Sequence, residues 1–430
     1  MNFPLIFKRL LALFACAGLL AFASARLLAA EAEHEAPAAG AAADAHMEGA
    51  AIHHTVVSAE AKNPTYFEQF LYSYLTAFMF CLSIVMGGMF LVIVHYLFDA
   101  GWSVPIRRIN EQIAALIPWM WGFSAPILLF APEVYPWWNI DPATDHALNV
   151  KKILFNPISF RVLLMAIFGL WTFMAFRFRK WSIAQDKDGA AIWSRKCRFQ
   201  AAWGIYAFAF SLTVVVFLLM KSLMHQFFST MYGVYYFAGS VWTTLATVYG
   251  IMRFLEKREL KGVIFKNTVH FLGTLFFAFT VFYAYIHFSQ YFLIWNAAIP
   301  EETFWYVKRE AGSWWGVGML ILFGHFFFPF LVLLRIDTKM SMVTMGPMIV
   351  WAWLMHYADM TFNVMPVLYP NGLHLTLWDP ICWFGLAGFL AWRFWRNYKS
   401  AAPYPLKDPR LKEALNHHEV PAPGAAAAHH

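Results

Sequence analysis

The sequence predicts an all-α integral membrane protein with about ten transmembrane helices. Of its 430 residues, 60% are hydrophobic and only 13% are charged, whereas soluble proteins carry about 25% charged residues. Several apolar runs reach roughly 20 residues, the length with which an α-helix crosses about 30 Å of hydrocarbon. The net charge of +7 does not indicate a nucleic-acid partner, because the basic residues lie in short loops beside the apolar runs, as membrane topology requires.

Ten apolar segments give the predicted order of the membrane-spanning helices. The third is short and is interrupted or bounded by Pro118, Pro126 and Pro132, so we expect a kinked or tilted helix there. The ten segments are 8–29, 71–98, 113–131, 158–177, 200–222, 231–253, 268–294, 314–335, 341–366 and 378–395.

The distribution of basic residues predicts the orientation of these helices. If the N-terminus is cytoplasmic, all but eight of the 32 Lys and Arg residues fall in cytoplasmic segments. This bias is the one that cytoplasmic loops show in membrane proteins, so both ends of the chain should face the cytoplasm. The eight residues on the other side are Arg26, Lys62, Lys151, Lys152, Arg161, Lys221, Lys308 and Arg309.

The chain divides into four predicted regions. Residues 1–29 are an N-terminal transmembrane helix or a signal peptide, because Ala23-Ser24-Ala25 would also suit a cleavage site. Residues 30–66 are rich in Ala and His and are predicted to be a disordered external linker. Residues 67–399 form the polytopic membrane domain, and residues 400–430, rich in Pro and Ala, a disordered cytoplasmic tail.

Four cysteines are present and none is near another in sequence. There is no C-x-x-C-H motif for a covalent haem and no cysteine cluster for an iron–sulfur site. The sequence therefore predicts no cofactor, no metal site and no catalytic residue on this chain. Cys16, Cys81, Cys197 and Cys382 are expected to be small buried hydrophobes.

Three ionisable residues on two consecutive spans are the foremost candidates for function. His325 lies about halfway along 314–335, while His356 and Asp359 lie one turn apart on one face of 341–366. A short turn joins the two spans, so they should be antiparallel neighbours with these residues within about 10 Å in depth. The group could relay protons, since imidazole both accepts and donates them, or it could be a hydrogen-bonded packing cluster. Two histidines at one depth could also hold haem b, but Asp359 suits a proton site better.

Two further sets of polar residues are candidates for the ends of a proton path. His287, with Gln290 and Glu302, could form its external mouth, although a plain interfacial histidine is the simpler interpretation. His95 and Asp99, four residues apart, favour a local pair over the entrance of a cytoplasmic half-channel.

Motifs in a fixed order carry a resemblance to a known family. The run from Phe288 to Thr303 reads FSQYFLIWNAAIPEET; Ala100-Gly-Trp-Ser103 and Phe228-Ser-Thr230 precede it, and Gly312-Ser-Trp314 and the His325–Pro329 segment follow. Over most of 70–370 the chain resembles the F-type membrane component of alternative complex III, a quinol-oxidising complex of bacterial respiratory membranes. That component belongs to the NrfD/PsrC-like integral membrane family. The chain departs from it in lacking acidic residues before Phe228, and in His270-Phe-Leu-Gly-Thr274, where the family has His-Asp-Leu-Gly-Lys.

The resemblance implies a pair of four-helix bundles with peripheral helices in the bacterial inner membrane, and a retained N-terminal helix. It implies a non-cofactor-bearing subunit that scaffolds a quinol:cytochrome c or other electron-acceptor oxidoreductase and conducts protons. Implied partners are a homologous quinol-binding subunit, an iron–sulfur subunit, multihaem and monohaem cytochrome c subunits and a terminal oxidase, so haem c and iron–sulfur clusters would lie on partners. The alternatives are a quinone-binding anchor that uses His325 or His356, a stand-alone secondary transporter and a purely structural subunit.

Overall fold

The computed structural model describes residues 64–415, and every regular element in that range is helical. The predicted region 1–29, nearly all of the 30–66 linker and the last part of the tail lie outside the described residues. The main helices are α1 (Tyr66–Leu97), α2 (Gly101–Leu129), α3 (Pro157–Asp188), α4 (Ala191–Leu219), α5 (Tyr232–Glu256), α6 (Lys266–Ala297), α7 (Pro300–Glu310), α8 (Trp314–Leu333), α9 (Met342–Val364) and α10 (Trp378–Lys399). Short helical turns at Ala131–Val134, Pro136–Asn139, His146–Val150, Lys221–Met224, Ile336–Met340, Met365–Val367 and Leu411–Leu415 occupy the connections.

The helix ends follow from local sequence. A capping box between Thr65 and Glu68 begins α1. The Asn156 side chain caps α3, and Gly189, with φ of 70°, ends it in the left-handed conformation. Helix α2 is a series of shorter helices, Val104–Ala114, Ile117–Phe123 and Ala125–Leu129, each with a proline in its first turn. The kink predicted for the third apolar segment is thus confirmed.

Six of these helices (α1, α2, α3, α4, α6 and α8) are long and apolar enough to cross a membrane. Helices α5, α9 and α10 have 25, 23 and 22 residues and coincide with three further predicted segments. The architecture is therefore that of an all-α, multi-pass membrane protein. The count of ten spans and the NrfD-like arrangement stay predictions.

Helix α1 lies at the centre of the bundle and packs against α4, α5, α9 and α10. Its contact with α5 is very close, because a Cβ atom on Gly87 would lie 2.1 Å from Thr244 Oγ1. The Tyr236 hydroxyl donates to Met79 O at 2.7 Å and Thr244 Oγ1 donates to Ile84 O at 3.0 Å across the same interface. This interface and α9 form the wall of the candidate site.

One end of the bundle, here called the tail end, carries the start of α2, the end of α3 and residues 400–415. Arg107 pairs with Asp408 at 2.6 Å, and Arg108 pairs with Glu111 at 3.0 Å and Asp186 at 2.5 Å. The backbone N–H of residue 406 also donates to Asp186, at 2.9 Å. Residues 400–415 are therefore packed onto the helices, unlike the disordered tail expected there; residues 416–430 lie outside the described range.

Candidate functional site

The structure brings together the three foremost candidates, His325 of α8 with His356 and Asp359 of α9. All three are buried, and one ligating atom of each lies within 4.8 Å of those of the other two. The two imidazole centroids are 6.3 Å apart. The antiparallel neighbours predicted from the short turn are observed, with the small helix Ile336–Met340 as the turn. We call these three residues the His–His–Asp cluster.

The backbone around His325 departs from α-helical geometry. Residues Leu322–Phe327 form a π-helical turn, a feature that is frequent at functional sites. Pro329 contributes to it, because it has no N–H to donate to the carbonyl of His325, four residues earlier. The imidazole is held between the rings of Trp242 and Tyr283, with centroid distances of 3.8 and 3.6 Å. Neither ring nitrogen of His325 has a hydrogen-bond partner among the described residues.

Hydrogen bonds fix the tautomer of His356. Its Nε2 lies 2.9 Å from Ser83 Oγ of α1, and Ser83 Oγ donates its own hydrogen to Phe80 O at 2.6 Å. Ser83 must therefore accept from His356 Nε2–H, which leaves Nδ1 as a bare lone pair. This lone pair faces Asp359 Oδ2 at 3.9 Å, too far for a direct hydrogen bond.

The carboxylate of Asp359 is the junction of a wider polar network. Its Oδ1 accepts hydrogen bonds from the hydroxyl of Tyr235 and from Asn363 Nδ2, the latter at 3.2 Å. The Tyr235 hydroxyl in turn accepts from Tyr283 at 3.3 Å and from Asn363 at 3.1 Å. Tyr232 donates to Asn363 Oδ1 at 2.8 Å, which extends the network towards the end of the bundle away from the tail.

A buried guanidinium lies at that far end of the network. Arg309 of α7 is 2% exposed and donates to the carbonyls of Trp305, Phe362 and Asn363 at 2.9–3.0 Å. It also lies over the Trp305 ring, 3.5 Å from its centroid. Carbonyl oxygens and an aromatic face thus stabilise its charge beside the tyrosines and Asn363.

The predicted external mouth lies partly beside this network. The His287 ring is 5.4 Å from that of Tyr235, and Gln290 accepts from Ser229 and donates to Tyr306, at 3.0 and 3.1 Å. Glu302 is half-buried on α7, and its negative charge favours the charged form of Lys221.

The second predicted set, His95 and Asp99, lies at the tail end of α1, away from the cluster. The favoured local pair is not what the structure has: Asp99 pairs with Arg198 at 2.8 Å and Arg410 at 3.2 Å. Asp99 lies beyond the last residue of α1, Leu97, and has a left-handed φ of 52°. The His95 ring is buried against Trp102, with centroids 5.4 Å apart.

A separate ionic cluster lies outside the membrane-spanning helices, at the end away from the tail. His225 Nε2 is 2.7 Å from Asp145 Oδ2, and Lys151 donates to the carbonyl of His225. Burial opposes ionisation of Asp145, but hydrogen bonds from His225 and from the Leu148 N–H hold its pKa below the usual value. Burial and the neighbouring Lys221 lower the pKa of Lys151 to about 8.

Several residues of the network were not predicted from the sequence: Ser83, Tyr232, Tyr235, Tyr283 and Asn363. The sequence spacing could have identified Asn363, because it lies one turn beyond Asp359 on the same helical face. The tyrosines were hidden in an aromatic content of 19%, most of which packs between helices. Comparisons with known protein families and with curated proteins find no match to this chain.

Proposed function

We propose that this chain conducts protons through the His–His–Asp cluster and its tyrosine network, as an integral membrane subunit of a quinol-oxidising respiratory complex. The observation that carries the proposal is that His356 Nδ1 lies 3.9 Å from Asp359, which is itself hydrogen-bonded to Tyr235 and Asn363 inside the membrane-spanning bundle. Ionisable groups are costly in hydrocarbon and are placed there for function. A packing role would be served by apolar side chains without that cost.

The chemistry of each group supports proton transfer. The Nδ1 lone pair of His356 and Oδ2 of Asp359 both accept, and their 3.9 Å separation suits one bridging proton carrier such as water. Tyr235 both donates to Asp359 and accepts from Tyr283, so a proton can be passed along the hydroxyls. His287, whose ring lies near Tyr235, would receive the proton at the mouth.

The place of the chain in a complex rests on the order of its sequence motifs. A subunit of the alternative complex III type would sit in a bacterial inner membrane with its C-terminus in the cytoplasm. Its partners would be a homologous quinol-binding subunit, an iron–sulfur subunit and cytochrome c subunits, with a terminal oxidase as a further partner. Electrons would pass through those partners, and this chain would move the protons.

The proton role is tested by the ratio of protons moved to electrons transferred in membrane vesicles. Asp359→Asn and His356→Gln should lower this ratio, with quinol oxidation retained. His270→Gln is the matched control, since His270 lies on α6 towards the tail end. An unchanged ratio in both cluster variants would refute the proton role.

The complex is tested separately, by purifying the tagged chain from its native membrane under mild detergent. Haem c and iron–sulfur subunits should co-purify in fixed proportion. A lone, haem-free and stable polypeptide would contradict the complex and favour a stand-alone transporter.

A further inference from the structure

We propose that His325, His356 and Asp359 bind one divalent transition-metal ion, for which Zn²⁺ is the probe. The sequence alone predicts no metal at these positions. The proposal rests on the geometry of the cluster and does not require the proton-conducting role.

The donor set matches this class of ion. Two imidazoles and one carboxylate are ligands for zinc, iron and copper rather than for magnesium or calcium, which prefer all-oxygen sites. Ligands about 2.1 Å from a tetrahedral ion lie roughly 3.4 Å apart. The ligating atoms here lie within 4.8 Å of one another, and the His356–Asp359 pair is at 3.9 Å. Closing these distances takes movements of about 1 Å or less per side chain at ordinary ligand bond lengths.

The imidazole nitrogens available to an ion are ones that make no hydrogen bond within the protein. Both nitrogens of His325 and Nδ1 of His356 have no hydrogen-bond partner in the part of the chain that the structure describes. A buried polar atom without a partner destabilises the fold. Asp359 directs Oδ1 to Tyr235 and Asn363, which leaves Oδ2 towards His356. An ion among these atoms would give a partner to Nδ1 of His356, to the Asp359 carboxylate and to one of the two nitrogens of His325.

The surroundings hold the ligands in a binding orientation. Ser83 accepts from Nε2–H of His356, the kind of outer hydrogen bond that fixes a metal-binding histidine in one tautomer. Trp242 and Tyr283 clamp the His325 ring from both faces. Gly239 leaves room for the His356 ring, because a Cβ there would lie 2.9 Å from Cε1.

Binding would have an electrostatic consequence. One carboxylate leaves a divalent ion with an excess positive charge, which in a buried site favours a hydroxide as fourth ligand and a proton released to solvent. The ion would also occupy the Nδ1 lone pair that a relayed proton needs. Metal-bound and proton-conducting forms would then be alternative states of one site.

The test is the metal content of the full-length chain, purified without a polyhistidine tag, loaded with Zn²⁺ and washed with chelator. The wash matters because the chain has 16 histidines, and fourteen of them lie outside the cluster. We expect about one ion per chain to be retained. His325→Gln, His356→Gln and Asp359→Asn should each lower Zn²⁺ affinity at least about tenfold, the loss already typical of outer-shell partners.

His287→Gln is the matched control, because His287 lies beside Tyr235 but contributes no atom to the cluster. It should retain the ion. Equal retention in the wild type and all cluster variants would place the metal elsewhere and overturn the proposal.

Co²⁺ substitution gives a readout on the wild-type chain, so it does not depend on the folding of the three cluster variants. The wild-type chain loaded with Co²⁺ should show the visible absorption of a four-coordinate nitrogen–oxygen site, and Ser83→Ala should alter it. Absence of this absorption, with no Zn²⁺ retained, would overturn the metal site and leave the proton role standing. If the wild type retains the metal, the cluster variants lose it and their proton-to-electron ratio is unchanged, the metal site is supported and the proton role is refuted.

Discussion

Two buried groups of ionisable residues, the tail-end arginines with their carboxylates and the His–His–Asp cluster, differ in how their charges are matched. At the tail end, Arg107 has one carboxylate partner and Arg108 has two, at 2.5–3.0 Å. In the His–His–Asp cluster, three ring nitrogens lack any partner among residues 64–415, and the shortest His–Asp contact is 3.9 Å.

This difference distinguishes buried ionisable residues that hold the fold together from buried ionisable residues that can serve a function. In the matched group each carboxylate faces a guanidinium, although Nε of Arg107 and of Arg108 has no hydrogen-bond partner among residues 64–415. These contacts fasten residues 400–415 to α2 and α3. An unmatched group bears the cost of burial without a compensating contact. Its unpartnered ring nitrogens are available to a proton or an ion.

Breaking the matched group should have the largest effect on stability. Arg108→Met leaves Glu111 and Asp186 without their shared cation and should destabilise the fold by about 3–5 kcal/mol. Thermal unfolding in detergent measures the change, and faster proteolysis within residues 400–415 should accompany it. Asp337→Asn is the control, since its pair with Arg335 is exposed and its loss should change stability hardly at all. Equal effects of the two substitutions would contradict the comparison.

The space beside His356 offers the next largest effect. Gly239→Ala would bring a methyl group to 2.9 Å from the His356 imidazole and displace the ring from Ser83 and Asp359. This overpacking should lower the free energy of unfolding by about 1–3 kcal/mol. The proton-to-electron ratio and Zn²⁺ retention should fall with it. Gly385→Ala on α10 meets nothing within 4 Å and should be neutral or stabilising. If the Gly239→Ala chain keeps the stability and the proton-to-electron ratio of the wild type, the position of the His356 imidazole is not important for either.

Part of this comparison could be predicted from the sequence. The length of the apolar runs predicted the helices, and the short turn after Leu333 predicted that His325 and His356 meet, because a tight connection fixes the depth of both. The sequence does not show how each helix is rotated about its own axis, and this rotation decides which side chains of two helices face each other. Ser83 and Tyr235 therefore escaped prediction, since they lie 273 and 124 residues from the partners they bond. The tail escaped it too, because Pro- and Ala-rich composition suggests disorder while Asp408 finds Arg107 301 residues away.

A smaller change should act on the tautomer alone. Ser83→Ala removes the acceptor of His356 Nε2–H and should cost about 1 kcal/mol or less in stability. Because both tautomers become accessible, the proton-to-electron ratio should fall partway. Ser73→Ala is matched to it, since Ser73 lies on the same helix and donates to Asp379 at 2.7 Å. Both variants should lose similar stability, and only Ser83→Ala should lower the ratio; a fall in both would mean that loosening of α1 is the cause.

The smallest effect should come from the matched pair at the opposite end, Asp145 with His225. The pKa of Asp145 is held below its usual value, so the carboxylate contributes stability above that usual value, about pH 4. The contribution is lost as the pH falls through the lower, folded-state pKa. The unfolding temperature of Asp145→Asn should therefore lie below that of the wild type at pH 6, and the two should converge below about pH 4.

Asp141→Asn is the control for this pH dependence, because Asp141 accepts from the Ala143 N–H at 2.9 Å instead of pairing with His225. It should leave the Asp145–His225 contact, and the effect of that contact on the unfolding temperature, unchanged. A wild-type curve that stays above Asp145→Asn by a constant amount down to pH 3 would mean that the Asp145–His225 contact stabilises the loop by shape and not by charge. The distinction between matched and unmatched ionisable groups would then hold only for the buried pairs of the tail end.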